Sequence, residues 1–403
     1  MAVGLKAPAK LHPVKGIRLA ATHSGIKNDT GVKDLTLIEI STGSSLAAVF
    51  TQSHFSAAPV QLCRQHLSID PASRYLLINS GNANAGTGSA GLQNAAECCE
   101  VVAAATGVSV TQVLPFSTGV IAEPLPVLPI KEAIPGLLAG LDADNWLPAV
   151  QGIMTTDTIP KAVSVRLDID GRTVSITGMA KGSGMIKPNM ATMLSFIATD
   201  AEIQPDGLTQ MLEQMVAGSF NSITVDGDTS TNDACVLIAT GATGARVDQH
   251  HEQFCQALQD VFKELAQAII RDAEGATKFV EINVEGAASE TDARSIAFTI
   301  GESPLVKTAL FASDPNWGRF IMAIGRAPLA QIDTGLVDLY LGPVRLLHQG
   351  LPDPDYREAL GQAEMSREEI VIRVNLNLGN ASACIWTSDL SYDYVKINAE
   401  YRS

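Results

Sequence analysis

Seven apolar residues, Phe254, Leu258, Val261, Phe262, Leu265, Ile269 and Ile270, recur at three- and four-residue intervals, so residues 252–271 are predicted to form an amphipathic helix. Elsewhere the pattern switches to alternation. Residues 34–40 and 45–51 read as two strands of a hairpin joined near Gly43, and 74–80 as a third strand that runs into the polar stretch SGNANAGTG. An apolar helix follows over 91–105, with Gly107 placed just past its end as a C-cap. The Pro-rich residues 124–135 read as a connector with a short helix after them. Residues 162–170 and 173–177 alternate around Asp170-Gly171, a strong hairpin signal. The continuous apolar run 193–198 predicts a buried strand. Residues 278–284, 370–376 and 382–386 complete the predicted strands. There is no strict βαβ rhythm, no repeat and no linker long enough to part independent domains. The expected fold class is α+β, in layers rather than a doubly wound sheet.

Length and composition refine this picture only in part. The 403 residues are long for one domain and comfortable for two lobes, and 46% are hydrophobic, enough for a large core. Aromatics are scarce and Gly and Ala plentiful, which suits close packing of helices on sheets. A net charge of -15 argues against a nucleic-acid partner, because phosphates reward Lys and Arg. The apolar runs are short and broken by charge, Gly or Pro, so no membrane partner is expected. The first residues lack the apolar stretch of a signal peptide, and a cytoplasmic location is expected. None of the six cysteines (Cys63, Cys98, Cys99, Cys235, Cys255, Cys384) forms a CxxC pair or a spaced Cys/His set, so no metal site is expected and they read as small core residues. The seven histidines are scattered, and His250 and His251 read as solvated at a helix start.

Candidate chemistry concentrates in KGSGMIKPNMAT, residues 181–192. Gly182, Gly184, Pro188 and Asn189 favour an unusual backbone path, and small Ala191 then precedes Thr192 at the threshold of the buried strand. A loop that delivers a hydroxyl to the first position of a rigid strand suits a nucleophile that must become an N-terminus. Its hydroxyl attacks the preceding carbonyl, the acyl group shifts from nitrogen to oxygen, and water cleaves the ester. The released α-amine, with an ordinary pKa of about 7.7–8.0, can then act as the base, so no histidine is needed. An ordinary loop before a structural threonine is the plainer reading of these residues alone. A phosphate loop is disfavoured because Lys181 precedes the glycines.

Over nearly its whole length the sequence resembles the ornithine acetyltransferase family of arginine biosynthesis, also called glutamate N-acetyltransferases. The strings that carry the resemblance are AAVFTQSHFSAAPVQLCRQHL, INSGNANAGTG, STGVIAEPLP, MTTDT, KGSGMIKPNMATML, NSITVDGDTSTND, EGATKF, SDPNWGR and YDYVKINAEYRS, in the family's order. The resemblance implies a precursor that cuts itself between Ala191 and Thr192 into fragments 1–191 and 192–403, which stay together as one intertwined catalytic unit. It implies a layered α/β sandwich that looks like N-terminal-nucleophile hydrolases but is differently connected, and an α2β2 heterotetramer. By motif, the catalytic residues fall on Thr192, with Thr118 and Gly119 of STGV as an oxyanion hole. The substrate contacts fall on Thr155, Lys181, Thr192, Glu274, Asn398 and Ser403. Position 403 is Ser where many members have Thr, which preserves the hydroxyl.

The implied reaction is ping-pong acyl transfer without metal or other cofactor. Thr192 takes the acetyl group of N2-acetyl-L-ornithine as an ester, with Thr118 and Gly119 holding the oxyanion, and passes it to L-glutamate. Lys181 suits the α-carboxylate both amino acids share, and Glu274 suits the side-chain ammonium of ornithine. Some members also accept acetyl-CoA, and no motif decides that point. Two rival readings remain: an acyl-threonine hydrolase or aminopeptidase of similar fold, and an amino-acid-binding protein that never matures.

Overall fold

A strand covered on both faces needs apolar residues throughout rather than on alternate positions, and Leu194–Thr199 is buried at every position. In the computed structural model, which describes residues 2–187, 193–329 and 332–400, this strand is the centre of a five-stranded sheet. Its neighbours are Ala234–Ala239, parallel, and Arg172–Lys181, antiparallel, with Ser45–Phe50 and Lys161–Ile169 at the edges. A four-stranded sheet lies against it, in the order Ile17–Thr22, Leu35–Ile40, Tyr75–Asn82, Val113–Val120. Leu19, Ile38, Ile78 and Phe116 of one sheet share a core with Phe196, Val236 and Ile238 of the other. Phe116 meets Phe196 edge to face at 5.0 Å, a favoured aromatic geometry.

Helices close both outer faces. Gly88–Thr106 and Val127–Ala139 cover the four-stranded sheet, and Pro205–Ala217 and Glu252–Arg271 cover the five-stranded one. The helix Glu252–Arg271 has the bounds its periodicity predicts and buries the apolar stripe read from the sequence. A seven-stranded sheet centred on Glu369–Asn375 and Phe279–Ala287 forms a separate core with Glu290–Gly301, Pro304–Phe311 and Trp317–Gly325. Phe279 and Trp386 tie this sheet to the core beneath Glu252–Arg271. The architecture is the layered α+β arrangement expected. Among the described residues no helix is long and apolar enough to cross a membrane. All six cysteines are free thiols, four of them buried.

Two local expectations are corrected. Residues 34–40 and 45–51 are strands but not a hairpin: Leu35–Ile40 pairs with Ile17–Thr22 and Tyr75–Asn82, whereas Ser45–Phe50 pairs with Ala234–Ala239 in the other sheet. Both edges of Leu35–Ile40 are occupied by other strands, so the short link through Gly43 carries the chain from one layer to the next. The Pro-rich connector is instead largely helix, Val127–Ala139. Pro129 sits in its first turn, where the missing N–H has no helical acceptor to lose. Pro135 does cost an internal bond, and the burial of Ile130, Ile134 and Leu137 against the sheet offsets it. The predicted Asp170-Gly171 turn is present, with both residues left-handed (φ 51° and 74°) and Ile169 paired to Arg172.

Candidate functional site

The two facing sheets end together at one edge of the sandwich, and their last residues carry chemistry. Val113–Val120 brings Thr118 and Gly119 to this edge from the four-stranded sheet, and Arg172–Lys181 brings Lys181 from the five-stranded one. Asn232 fastens the sheets here, donating its side-chain N–H groups to Ala83 O at 2.6 Å and Ser117 O at 2.9 Å. Between them lies a cavity of about 270 Å³. Thr118, Gly119, Thr155, Lys181, Glu274 and Asn398 all line it. Six residues chosen from five separate sequence motifs are therefore brought together. Ala191, Thr192 and Ser403 lie outside the described residues. The strand that follows Thr192 does start here, because Met193 N donates to Asp233, next in sequence to Asn232.

Gly119 is required by space and by backbone. Its φ of +132° is a region side chains resist, and an added Cβ would stand 2.3 Å from the carbonyl carbon of Gly81. At this point the parallel pairing of the two strands slips by a residue, and Asn82 faces both Thr118 and Val120. Past the irregularity the pairing resumes, Asn82 with Val120 and Ala83 N donating to Val120 O at 2.9 Å, and Thr118 and Gly119 line the cavity.

Lys181 is buried, and its ammonium donates to Thr118 Oγ1 at 2.8 Å and Thr155 Oγ1 at 3.2 Å. Because Thr118 Oγ1 accepts from an ammonium, its own hydrogen is polarised and turned away from Lys181. Burial pushes the Lys181 pKa down, and Asp157, Asp233 and Glu274 work in the opposite direction.

Asp157 organises the floor. Its carboxylate accepts from Lys161 Nζ at 2.6 Å, Gly182 N at 2.8 Å and Thr155 N at 2.9 Å. Burial opposes its ionisation, but Lys161, Lys181 and the Gly182 N–H prevail and hold the carboxyl below the usual range. Lys161, itself fully buried, spans from Asp157 to Asp272, also at 2.6 Å. Asp272 in turn accepts from the backbone N–H and hydroxyl of Thr158.

The opposite wall is built from the chain's far end. Glu274 Oε2 accepts from Asn398 Nδ2 at 2.8 Å, and Glu274 N donates to Ser183 O at 2.8 Å. Gly184 makes room for this carboxylate, since a Cβ there would lie 2.5 Å from Glu274 Oε2. The helix Tyr392–Ala399 that carries Asn398 is held by Ser391, whose hydroxyl donates to Gly275 O at 2.6 Å. Asp226 pins the loop leading toward Thr192. It accepts from Met185 N, Ile186 N and Tyr394 OH.

Sequence reasoning did not single out Asp157, Asp226, Asn232 or Asp233. All four stand inside MTTDT or NSITVDGDTSTND, but nothing in the strings separates a load-sharing carboxylate from a solvated one. Asp233 is 1% exposed, with Oδ1 accepting from Met193 N at 2.9 Å and Oδ2 without a hydrogen-bond partner among the described residues. No group of three or more His, Cys, Asp or Glu among the described residues could hold a metal ion. A larger open groove of about 840 Å³, lined by Lys15, Arg18, Arg74 and Arg166, lies at the other ends of the same strands and contains none of the residues above.

Comparisons with known proteins point to one family. The model of the ArgJ family matches residues 18–403. The arginine biosynthesis bifunctional protein ArgJ of Methylococcus capsulatus is 53% identical over 398 residues, 98% of this chain and 97% of that protein. The protein of the same description from Pseudomonas syringae pv. tomato is 49% identical, covering all of both chains. A crystal structure of the arginine biosynthesis bifunctional protein ArgJ from Bacillus halodurans superposes with a TM-score of 0.50 and 42% identity. It covers 52% of this chain and 100% of that one. The ornithine acetyltransferase of Mycobacterium tuberculosis, solved in complex with ornithine, is 34% identical over 44% of this chain and 93% of that one, with a TM-score of 0.41. With a family model and relatives that span it end to end, this chain belongs to the ArgJ family.

Proposed function

We propose that the chain cuts itself between Ala191 and Thr192 and then uses Thr192 to carry an acetyl group from N2-acetyl-L-ornithine to L-glutamate, in arginine biosynthesis. The observation that carries this reading is the single cavity lined by Thr118, Gly119, Thr155, Lys181, Glu274 and Asn398, beside the strand that Thr192 precedes. The names of the close relatives give the pathway, and the solved relative with ornithine supports the donor class. The solved Bacillus halodurans chain matches in full yet spans about half of this one, the size of fragment 192–403. Its size supports a chain cut near its middle.

In this reading the Thr192 hydroxyl attacks the acetyl carbonyl while its α-amine takes the proton. The Thr118 hydroxyl and the Gly119 N–H receive the negative charge on the carbonyl oxygen, as donors already in place before the charge develops. The ornithine amine leaves with the proton, and the amine of glutamate attacks the acetyl ester in the reverse sequence. Lys181 spends donors on Thr118 and Thr155 and offers another to the α-carboxylate common to both amino acids. Ser403 supplies a further hydroxyl to the substrate. The word bifunctional in the relatives' names supports a second activity, acetylation of glutamate from acetyl-CoA. We assign the working form to a cytoplasmic α2β2 heterotetramer of the two fragments.

Incubation with N2-acetylornithine, with and without glutamate, tests the reaction class. Acetylglutamate is expected only when glutamate is present. Acetate released at the same rate without glutamate would make the protein a hydrolase and overturn the proposal.

Glu274 predicts a split between the two substrates. Glu274→Gln removes the charge facing the ornithine ammonium, worth about 1.5–3 kcal/mol for a charged hydrogen bond, so KM for acetylornithine rises by about tenfold or more. Glutamate carries a carboxylate where ornithine carries its amine, so its KM does not rise. Initial rates with each substrate varied in turn read both values, and a rise in both would place Glu274 elsewhere.

A further inference from the structure

Asp233 is a buried carboxyl with half of its bonding capacity unused. Oδ1 takes the N–H of Met193, and Oδ2 has no hydrogen-bond partner among the described residues. An orphaned polar atom at this depth ordinarily costs about 1–3 kcal/mol, which asks for an explanation. The explanation offered by its position is a cation that arrives later. Met193 is joined directly to Thr192, and the nitrogens of consecutive residues are only three covalent bonds apart, roughly 3 Å. A carboxylate whose one oxygen holds the N–H of the second residue can therefore reach a free α-amino group of the first with the other.

We propose that Asp233 is a positioning residue: its Oδ2 receives the α-ammonium of Thr192 once the chain is cut, and so sets the proton affinity of the catalytic base. The inference rests on the reading of Thr192 as an N-terminal nucleophile. As the bond from Thr192 Oγ to the acetyl carbonyl forms, the hydroxyl proton moves to the α-amine, and the ammonium is held against Asp233. When the carbon–nitrogen bond to ornithine breaks, that proton leaves on the departing amine.

The surroundings leave this role to Asp233. The charged group facing it is Lys181 of Arg172–Lys181, whose ammonium is engaged with Thr118 and Thr155. Asp157, Lys161 and Glu274 act on Lys181. From the adjoining edge strand, Thr51 contributes only a backbone N–H to the Asp233 carbonyl. Ser230 is the nearby hydroxyl; its Oγ accepts from Asn232 N at 3.1 Å, and it joins Lys181 and the Met193 N–H in drawing the Asp233 carboxyl down against burial. Burial pushes the Asp233 carboxyl well up, with Lys181 opposing, which is the state of an acid still lacking its counter-charge.

The test measures the Thr192 amine itself. Wild-type protein and Asp233→Asn are carbamoylated with cyanate across a pH series, and the mass of the 192–403 fragment gives the fraction labelled. The wild-type midpoint is expected above the ordinary amine value of about 7.7–8.0. In Asp233→Asn it falls by at least one pH unit, a tenfold change in proton affinity, and the acidic limb of kcat/KM moves with it. A wild-type midpoint at or below the ordinary value overturns the proposal without any variant. So does an unchanged midpoint in Asp233→Asn. An Asp233→Asn chain that stays whole while the wild type is cut assigns the carboxyl to the cutting step instead and also overturns it. A wild-type chain that is never cut fails the underlying reading, and is told apart by its undivided mass.

Discussion

Thr192→Ala is expected to give one chain of about 42 kDa on a denaturing gel, with no conversion of acetylornithine and glutamate above about 10⁻⁴ of the wild-type rate. The effect is total because one oxygen serves twice. In the proposed mechanism Thr192 Oγ first attacks the Ala191 carbonyl to open the chain, and later attacks the acetyl carbonyl of the donor. Without the cut there is also no α-amine, so nucleophile and base disappear together. Intact mass spectrometry checks both halves of the argument: the wild type divides after Ala191, and Thr192→Ala does not. Thr192→Ser, which keeps the hydroxyl, should still divide. The folded state should be unaffected, because the strand that follows is held by Met193 and its neighbours, through the Asp233 carboxylate and the ladders on either side. A Thr192→Ala chain that divides at this bond would remove Thr192 from the mechanism.

The parts of this molecule legible in the sequence are those where one face of an element decides its pattern. Glu252–Arg271 has a single buried stripe and was delimited correctly at both ends. Lys161–Ile169 and Arg172–Lys181 are joined by a turn whose dipeptide imposes its own geometry. The false hairpin at Gly43 shows the limit. Two alternating strands four residues apart say nothing about which sheet each enters, and that is settled by partners far along the chain, Tyr75–Asn82 for one and Ala234–Ala239 for the other. The site divides in the same way. Thr118, Lys181, Glu274 and Asn398 stood in recognisable strings, but their meeting in one cavity depends on two sheets ending at the same edge. Asp157 and Asp233 were silent because a carboxylate's role depends on burial and on what stands within 3 Å, neither of which a string records.

Lys161→Met is expected to destabilise the protein by about 3–5 kcal/mol, the cost of removing one partner from a buried ion pair. The side chain of Lys161 is fully buried, and its ammonium lies 2.6 Å from both Asp157 and Asp272. Methionine fills much of the same space, so the loss is electrostatic rather than a cavity: two carboxylates remain inside without their cation. Urea unfolding at neutral pH reads the difference as a lower midpoint at constant slope. The pH dependence separates this cause from poor packing. In the wild type the Asp157 carboxyl lies below its ordinary value, so it contributes stability that is present above the unfolded pKa and is lost as pH falls through the folded one. Removing Lys161 takes away the largest force holding it down, and the folded value rises. The folded variant then binds protons more readily than the wild type, and its deficit narrows as the pH is lowered from about 7 toward about 5. A deficit that stays constant over that range would mean that packing, and not the uncompensated charge, is what Lys161 supplies. Activity adds a second reading, because Asp157 also holds the N–H of Thr155, whose hydroxyl accepts from the Lys181 ammonium, and the N–H of Gly182, next to Lys181 in the chain. When that carboxylate loses its partner or its charge, the frame that aims Lys181 at Thr118 loosens, and kcat should fall in folded Lys161→Met even at temperatures well below its unfolding midpoint.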